Sequence, residues 1–273
     1  MSKNKGKVKG KTQQKKPQKK PLKKEKTPKK EPKIAIQKGD FILINYTSKI
    51  KETGETFDTT NEETAKQQKL HKEGDIYEPK LVVVGENWVL KALDEALPNL
   101  KINKKDSVEI PPDKGFGNRD PEKLRLVPLR KLTAQGITPK LGMQIEVDRK
   151  IATIRTMGSG RVQLDFNPPL AGKTLIYEVT IEKKLETPPE KISALIHRRI
   201  PAIEANKFNF TMAKTNVTVN MPEEALYLEG IQLAKRGIAT DIQRLLPEIT
   251  TVKFTETFKK REPTPEQPKQ KSN

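Results

Sequence analysis

The stretch GDFILINYTSKI, residues 39–50, sets Phe41, Leu43 and Asn45 against Ile42, Ile44 and Tyr46. Successive side chains of a strand point to opposite faces, so both faces here are largely apolar and the strand is expected to be buried. KETG (51–54) turns the chain into ETFDTT, and the polar run 61–75 reads as an exposed loop or a loose helix. KLVVVG (80–85) is a further strand. In GENWVLKALDEALPNL (85–100), Val89, Leu93 and Leu97 share one helical face beside Leu90, and Pro98 marks the stop. KDSVEI then runs into a loop rich in Pro, Gly and Asp that carries one conspicuous aromatic, Phe116.

The texture changes from Thr133 to Phe166, where short alternating runs joined at Gly158–Gly160 read as small strands with a hairpin turn. Met143, Ile145, Val147, Ile151, Ile154, Val162, Leu164 and Phe166 would furnish a core for a unit of about forty residues, a size at which stability is marginal. NPPLAG (167–172) follows, directly before a regular strand in which Leu175, Tyr177, Val179 and Ile181 alternate with polar neighbours. Prolines cannot donate to a ladder, so this stretch is either a plain loop or a crossover from one folded unit back into another. ETPPEK (186–191) reads as a linker. Beyond it come a helix in KISALIHRRI, strands in KFNFTMA and NVTVNM, a helical stretch over 222–247 with a break at Gly237, and a last strand in TTVKFTETF. That order suggests a small α+β domain.

Composition changes the picture at the ends. Only 33% of the 273 residues are apolar, which suits a globular protein with disordered termini better than one large core. Residues 1–33 hold fifteen lysines against Glu25 and Glu31. Of the chain's net +19, that tail carries +13, leaving +6 for the remaining 240 residues. Two readings of the tail stay open: a solvating disordered extension, or a polyelectrolyte arm for nucleic acid, the ribosome or another acidic surface. No aromatic interleaves its lysines. The chain has no cysteine, which excludes disulfides and thiolate metal sites, and His71 and His197 are too few for a histidine-rich metal centre. Apolar runs such as LVVV (81–84) are far too short to span a bilayer, and no apolar segment follows the basic start. A soluble, cytoplasmic protein with no membrane partner is expected.

Three stretches, GDFILINYTSKIKETGETFDTT, VVVGENWVLKALDEALPNLKINKKDSVEIPPDKGFGNRDP and PLAGKTLIYEVTIEKKLE, closely resemble in this order the FKBP family of peptidyl-prolyl isomerases. The resemblance covers residues 36–186. The piece between the last two stands where SlyD-like members carry an insert-in-flap domain, and the downstream segment resembles the extra domain of long archaeal members. The resemblance implies an α+β fold: an FKBP-like antiparallel half-barrel sheet wrapping one helix, a small β insert, and a C-terminal α+β domain. The implied boundaries are a tail at 1–33, the isomerase body at 34–128 and 170–187, the insert at 129–169, the C-terminal domain at 188–258 and a second disordered tail at 259–273. NPPLAG would then be the point where the chain leaves the insert, and TLIYEV the strand that completes the parent sheet. Two departures stand out. Pro168 replaces a histidine common in SlyD-like proteins, and their histidine-rich tail is missing, so no metal function is carried over.

Prolyl isomerisation needs no nucleophile, base or cofactor, and no cofactor or metal is expected. The barrier is the loss of amide resonance, about 20 kcal/mol. A twisted amide has a less dipolar carbonyl than a planar one, so an apolar, water-poor pocket penalises the planar form more. By the resemblance, Tyr46 and Asp58 are the polar pair of such a pocket, Phe57, Phe116 and Tyr177 join them as catalytic residues, and Val89, Leu90 and Leu93 bind substrate. Leu93 stands where many relatives have a tryptophan, which leaves a roomier floor. From the residues alone, Val89 and Leu93 are ordinary core positions, Tyr46 and Tyr177 core aromatics, and Asp58 a turn carboxylate. Phe116, flanked by glycines in a loop, is more pointedly an anchor or a site residue. Trp88 reads as packing or rim.

The resemblance further implies that the insert holds unfolded chains. Ile145, Val147, Ile151, Ile154, Val162 and Leu164 are the expected chaperone surface, because so small a unit cannot bury them all. Expected partners are unfolded or partly folded proteins with X–Pro bonds, the ribosome or nucleic acid at the tail, and a second copy of the chain at the C-terminal domain. The competing reading is a non-catalytic peptide-binding chaperone anchored to nucleic acid or the ribosome by its lysines.

Overall fold

The structure is a computed structural model that describes residues 35–258 and residue 260. The lysine-rich tail and all but residue 260 of the terminal stretch 259–273 lie outside the described residues.

The body opens with β1 (Phe41–Ile50), turns into β2 (Thr56–Thr59), and passes through a short helix, α1 (Glu62–Gln67), to β3 (Lys80–Val83). The polar run after residue 60 is helical at its start because the Asn61 side chain accepts from the Thr64 amide at 2.8 Å, capping α1. Helix α2 (Lys91–Ala96) follows, then β4 (Lys105–Ile110). This helix is shorter than the periodicity of 85–97 suggests. The buried Asp94 carboxylate accepts from the amides of Gly85 and Asn87 at 2.9 and 2.8 Å, folding the preceding turn over the helix start. Val89 and Leu90 therefore sit in that turn and not on the helix.

The insert consists of β5 (Leu124–Pro128), α3 (Leu129–Thr133), β6 (Gln144–Val147), β7 (Lys150–Gly158) and β8 (Arg161–Asp165), in sheet order β5-β8-β7-β6. It begins earlier than residue 129, since Leu124–Pro128 pairs with β8 along its whole length. LRLVP is too short and too proline-limited to read as a strand from sequence. Ser159 and Gly160, both left-handed, close the β7–β8 hairpin as expected.

The chain returns as β9 (Leu175–Leu185), completing a five-stranded antiparallel sheet in which β1 lies between β9 and the β2/β3 edge, and β9 between β1 and β4. The C-terminal part comprises α4 (Pro188–Arg199), β10 (Asn209–Ala213), β11 (Asn216–Asn220), α5 (Ile231–Leu245) and β12 (Thr251–Thr255), with β11 pairing β10 antiparallel and β12 parallel. ETPPEK is a helix start, not a linker. Thr187 and Glu190 cap each other's backbone amides, and Pro188 occupies the first turn, where its missing amide costs nothing. Helix α5 runs unbroken through Gly237, and the expected break falls instead at left-handed Gly230. Gly237 is in the helix because a β-carbon there would lie 3.0 Å from the Arg199 guanidinium.

The two apolar faces of β1 meet two different cores. Ile42, Ile44 and Tyr46 pack with Leu93, Leu97, Val179 and Ile181 inside the body. Phe41, with Leu81, Val83 and Leu185, packs against Ile192, Leu195 and Ile196 of α4 and Ile238 and Ile242 of α5. No described helix is long and apolar enough to cross a membrane.

Candidate active site

One rung of the body sheet assembles the polar part of the site. Ser48 of β1 pairs with Asp58 on one side and Tyr177 on the other, and the Ser48 hydroxyl donates to the Asp58 carbonyl at 2.8 Å. Tyr46, two residues along the same face, donates its hydroxyl proton to Asp58 Oδ2 at 2.7 Å. Its backbone is fixed by Thr60, whose amide donates to the Tyr46 carbonyl at 3.0 Å and whose hydroxyl accepts from the Tyr46 amide at 2.9 Å. The Tyr46 and Tyr177 rings lie 5.7 Å apart, and Phe57 meets Tyr177 edge-on at 6.1 Å.

Beside the tyrosines is a cavity of about 420 Å³, with Val89 and Leu90 from the Asp94-braced turn on its wall and Trp88 at its rim. A larger one of about 630 Å³ adjoins it, sharing Lys80, Trp88 and Val89, and reaches past Phe57 and Asp58 to Arg198 of α4. Burial, with the hydrogen bond and charge of Asp58 added, pushes the Tyr46 phenol well above its ordinary pKa. Burial and the charge of Asp58 push Tyr177 up to about 12. Both hydroxyls therefore keep their protons at neutral pH and remain hydrogen-bond donors beside the rings and aliphatic chains of the wall, which Lys80 and Lys91 complete.

Comparison with known proteins gives the family of the chain. A "Short-type peptidyl-prolyl cis-trans isomerase" of Methanocaldococcus jannaschii is 32% identical over 146 residues, which are 54% of this chain and 92% of that protein. The chain belongs to the FKBP-type peptidyl-prolyl cis-trans isomerases. An "FKBP-type peptidyl-prolyl cis-trans isomerase SlyD" of Helicobacter pylori is 30% identical over 44% of this chain and 66% of its own length. An "FKBP-type 16 kDa peptidyl-prolyl cis-trans isomerase" of Escherichia coli is 24% identical over 54% and 92%. The family profile "FKBP26, IF domain" matches residues 125–170, and "FKBP26_C-terminal" matches 188–259. The chain is thus an enzyme of this family with an α+β body, an insert-in-flap sheet and a C-terminal α+β domain.

In this isomerase the expected residues divide. Tyr46, Tyr177, Val89 and Leu90 line the smaller cavity, and Phe57, Asp58 and Val89 line the larger. Leu93 lies beneath them, fully buried in the body core. Phe116 is 41% exposed and lines neither cavity. Nothing in the local sequence points to Lys80 or Arg198. Lys80 reaches the site only because β3 pairs with β1, and Arg198 only because α4 packs against the body.

The expected chaperone surface needs correction. Ile145, Ile154, Val162 and Leu164 are the buried core of the insert, and Val147 packs against it half-buried. Of those six only Ile151, 68% exposed, faces outward, because the small Ala152 takes the inward position beside Ile154. The apolar surface of the insert consists instead of Ile151 with Leu126, Leu129, Leu141, Met143 and Met157. Among the described residues no group of three or more His, Asp or Glu is placed to hold a metal ion.

Proposed function

We propose that the body isomerises X–Pro bonds of protein chains in the cavity lined by Tyr46 and Tyr177, and that the insert presents unfolded chains to it. The observation that carries the catalytic reading is the Asp58–Ser48–Tyr177 rung with Tyr46 bonded to Asp58, a small fixed polar set in a wall of rings and aliphatic chains. A planar prolyl amide entering that cavity exchanges water for apolar surface. Its dipolar carbonyl loses more in the exchange than the twisted form does, so the rotational barrier falls. Phe57, Val89 and Leu90 exclude water, while Asp58 and Lys80 hold the Tyr46 hydroxyl in one orientation. The neutral Tyr177 hydroxyl orients the peptide by donating to a substrate carbonyl.

The chaperone reading rests on the six exposed apolar side chains of the insert, half of the large apolar residues exposed among the twelve found on the described surface. Holding a client beside the cavity raises the effective concentration of its prolines, so the insert matters for proteins and not for short peptides. Two rates test both halves: exchange of an X–Pro tetrapeptide and proline-limited refolding of a model protein. Tyr177→Ala should lower both. Replacing residues 124–166 with a short loop should leave most peptide exchange and slow refolding. Equal loss of both rates on removing the insert would make it a part of the pocket and not a client-binding module.

A further inference from the structure

Beyond holding the Tyr46 hydroxyl, Lys80 brings to the cavity a full charge that isomerisation in apolar surroundings does not call for. It stands at the exposed start of β3, opposite Ile44, with its ammonium donating to the Tyr46 hydroxyl at 2.8 Å and lying 5.1 Å from the centre of that ring. An ammonium has three N–H donors, so two remain free to point into the cavity. Among the described residues it meets no carboxylate. Lys80 lines both cavities, at the place where they join.

The smaller cavity leaves that charge unbalanced. Lys91 lines the smaller cavity too, loosely paired outside it with Glu95 at 3.9 Å, and no carboxylate lines it. Across the Trp88 ring, the Arg198 guanidinium sits 3.8 Å from the centroid, while its carboxylate neighbour Asp241, at 3.8 Å, is already held by Arg199 at 2.7 Å. On the larger cavity Asp58 takes the Tyr46 hydroxyl proton and Glu78 meets His197 Nε2 at 2.8 Å, and neither makes a direct ion pair with Lys80. The larger cavity sets Lys72, Lys80 and Arg198 against Asp58, Asp75 and Glu78, so the excess of positive charge lies on the smaller one, where the peptide is placed.

We propose that Lys80 is a specificity-determining residue that favours substrates with an acidic residue beside the proline. A chain whose proline occupies the Tyr46–Tyr177 cavity runs its adjacent residue past the junction, and a Glu or Asp carboxylate there takes the free donors of Lys80. The inference rests on the proposed placement of the peptide in that cavity.

The test compares tetrapeptides with Glu, Gln or Lys immediately before or after proline, at low and at high salt. Wild-type protein should turn over Glu better than Gln in at least one of the two positions, by about two- to fivefold, the range an exposed ion pair supplies. High salt should erase the difference. Lys80→Met should abolish the Glu preference, and Lys80→Glu should reverse it in favour of Lys. Each variant is judged by its ratio of kcat/KM between peptides, so a change in absolute rate from disturbing Tyr46 does not confuse the result. Equal turnover of Glu and Gln peptides by wild-type protein at low salt, or a preference that survives either salt or both substitutions, would overturn the inference. Turnover of the Gln peptide that is untouched by Tyr177→Ala would instead remove the cavity itself, a distinguishable failure.

Discussion

The insert and the C-terminal segment are joined to the same body in opposite ways. Leu132, Ile145, Ala152, Ile154, Val162 and Leu164 form a core inside the insert, packed with Val127, Ile137, Val147 and Phe166 from the same unit. Two chain crossings tie it to the body, and there the buried Asp165 binds Arg119 at 2.6 Å and Arg155 at 3.0 Å, while Asn167 links Asp165 to the backbone of Asp120. The C-terminal segment, by contrast, completes a core that Phe41, Leu81, Val83 and Leu185 of the body begin. Polar contacts reinforce that seam: Arg244 pairs with Glu86, and Arg198 stacks on Trp88. A unit with its own core can be removed without uncovering its host, whereas a unit that shares one cannot.

The largest expected effect comes from breaking the shared core. A chain ending at residue 187 exposes Phe41, Leu81, Val83 and Leu185, each worth about 1.5–3 kcal/mol when fully buried. The total rivals the whole stability of a domain, so this truncation should aggregate or unfold at far lower denaturant than the full chain. Removing the insert should shift the body's midpoint only slightly. An unchanged midpoint on truncation would refute the shared core.

Next in size is the clamp at the crossing. Burial raises the Asp165 carboxyl, but the amide and side chain of Asn167, then Arg155 and Arg119, outweigh it and hold the pKa below the usual range. A depressed folded pKa gives stability that is present above the unfolded value, about 3.9, and lost as pH falls through the folded one. Hydrogen exchange in the insert should therefore accelerate as pH drops below about 4, relative to the body after correction for intrinsic rates. Asp165→Asn leaves two arginines without their anion and should cost about 2–3 kcal/mol, less than a fully buried pair because both arginines are partly solvated. Insert amides should lose protection while body amides keep theirs.

The contrast also marks what the sequence could reveal. The strands of the body are legible because both faces of β1 and β3 are apolar, which already requires packing on two sides. What lies on the second side is not legible, since α4 is distant in sequence. Within the insert, alternation identifies strands but does not say which face turns inward, and the small Ala152 sets the phase that leaves Ile151 outside. ETPPEK misleads through its prolines, although Thr187 and Glu190 carry the three-residue spacing of a capping box. Gly237 misleads because a mid-helix glycine costs about 1 kcal/mol, too little to break a helix buried on one face. At the site, Tyr46, Asp58 and Tyr177 are readable by resemblance, whereas Lys80 depends on a strand pairing that no local pattern announces.

A smaller effect separates two expected site residues. Asp58→Ala should lower kcat/KM toward peptides by about tenfold, about 1.4 kcal/mol, by releasing the Tyr46 hydroxyl. Phe116, expected from sequence to matter as much, lines neither cavity, and Phe116→Ala should cost about twofold or less unless its loop closes on substrate. A tenfold loss at Phe116 with unaltered stability would place that loop over the bound peptide.

The smallest effect tests the outer surface of the insert against its core. Leu126 and Ile151 are 60% and 68% exposed, and replacing both with serine removes apolar surface without opening a cavity. The insert should stay folded, tetrapeptide exchange should not change, and proline-limited refolding should slow by about two- to fourfold, as expected for losing about 0.4–0.8 kcal/mol of client contact. Ile154→Ala should slow refolding too, but for another reason: Ile154 is fully buried, and its truncation costs about 2–5 kcal/mol in a unit too small to absorb it. Near-UV dichroism or amide exchange of the insert distinguishes the two, since only Ile154→Ala should loosen it. If the double serine variant refolds its client at the wild-type rate, the contact surface lies instead with Leu129, Leu141, Met143 and Met157, and the same pair of measurements on those four would locate it.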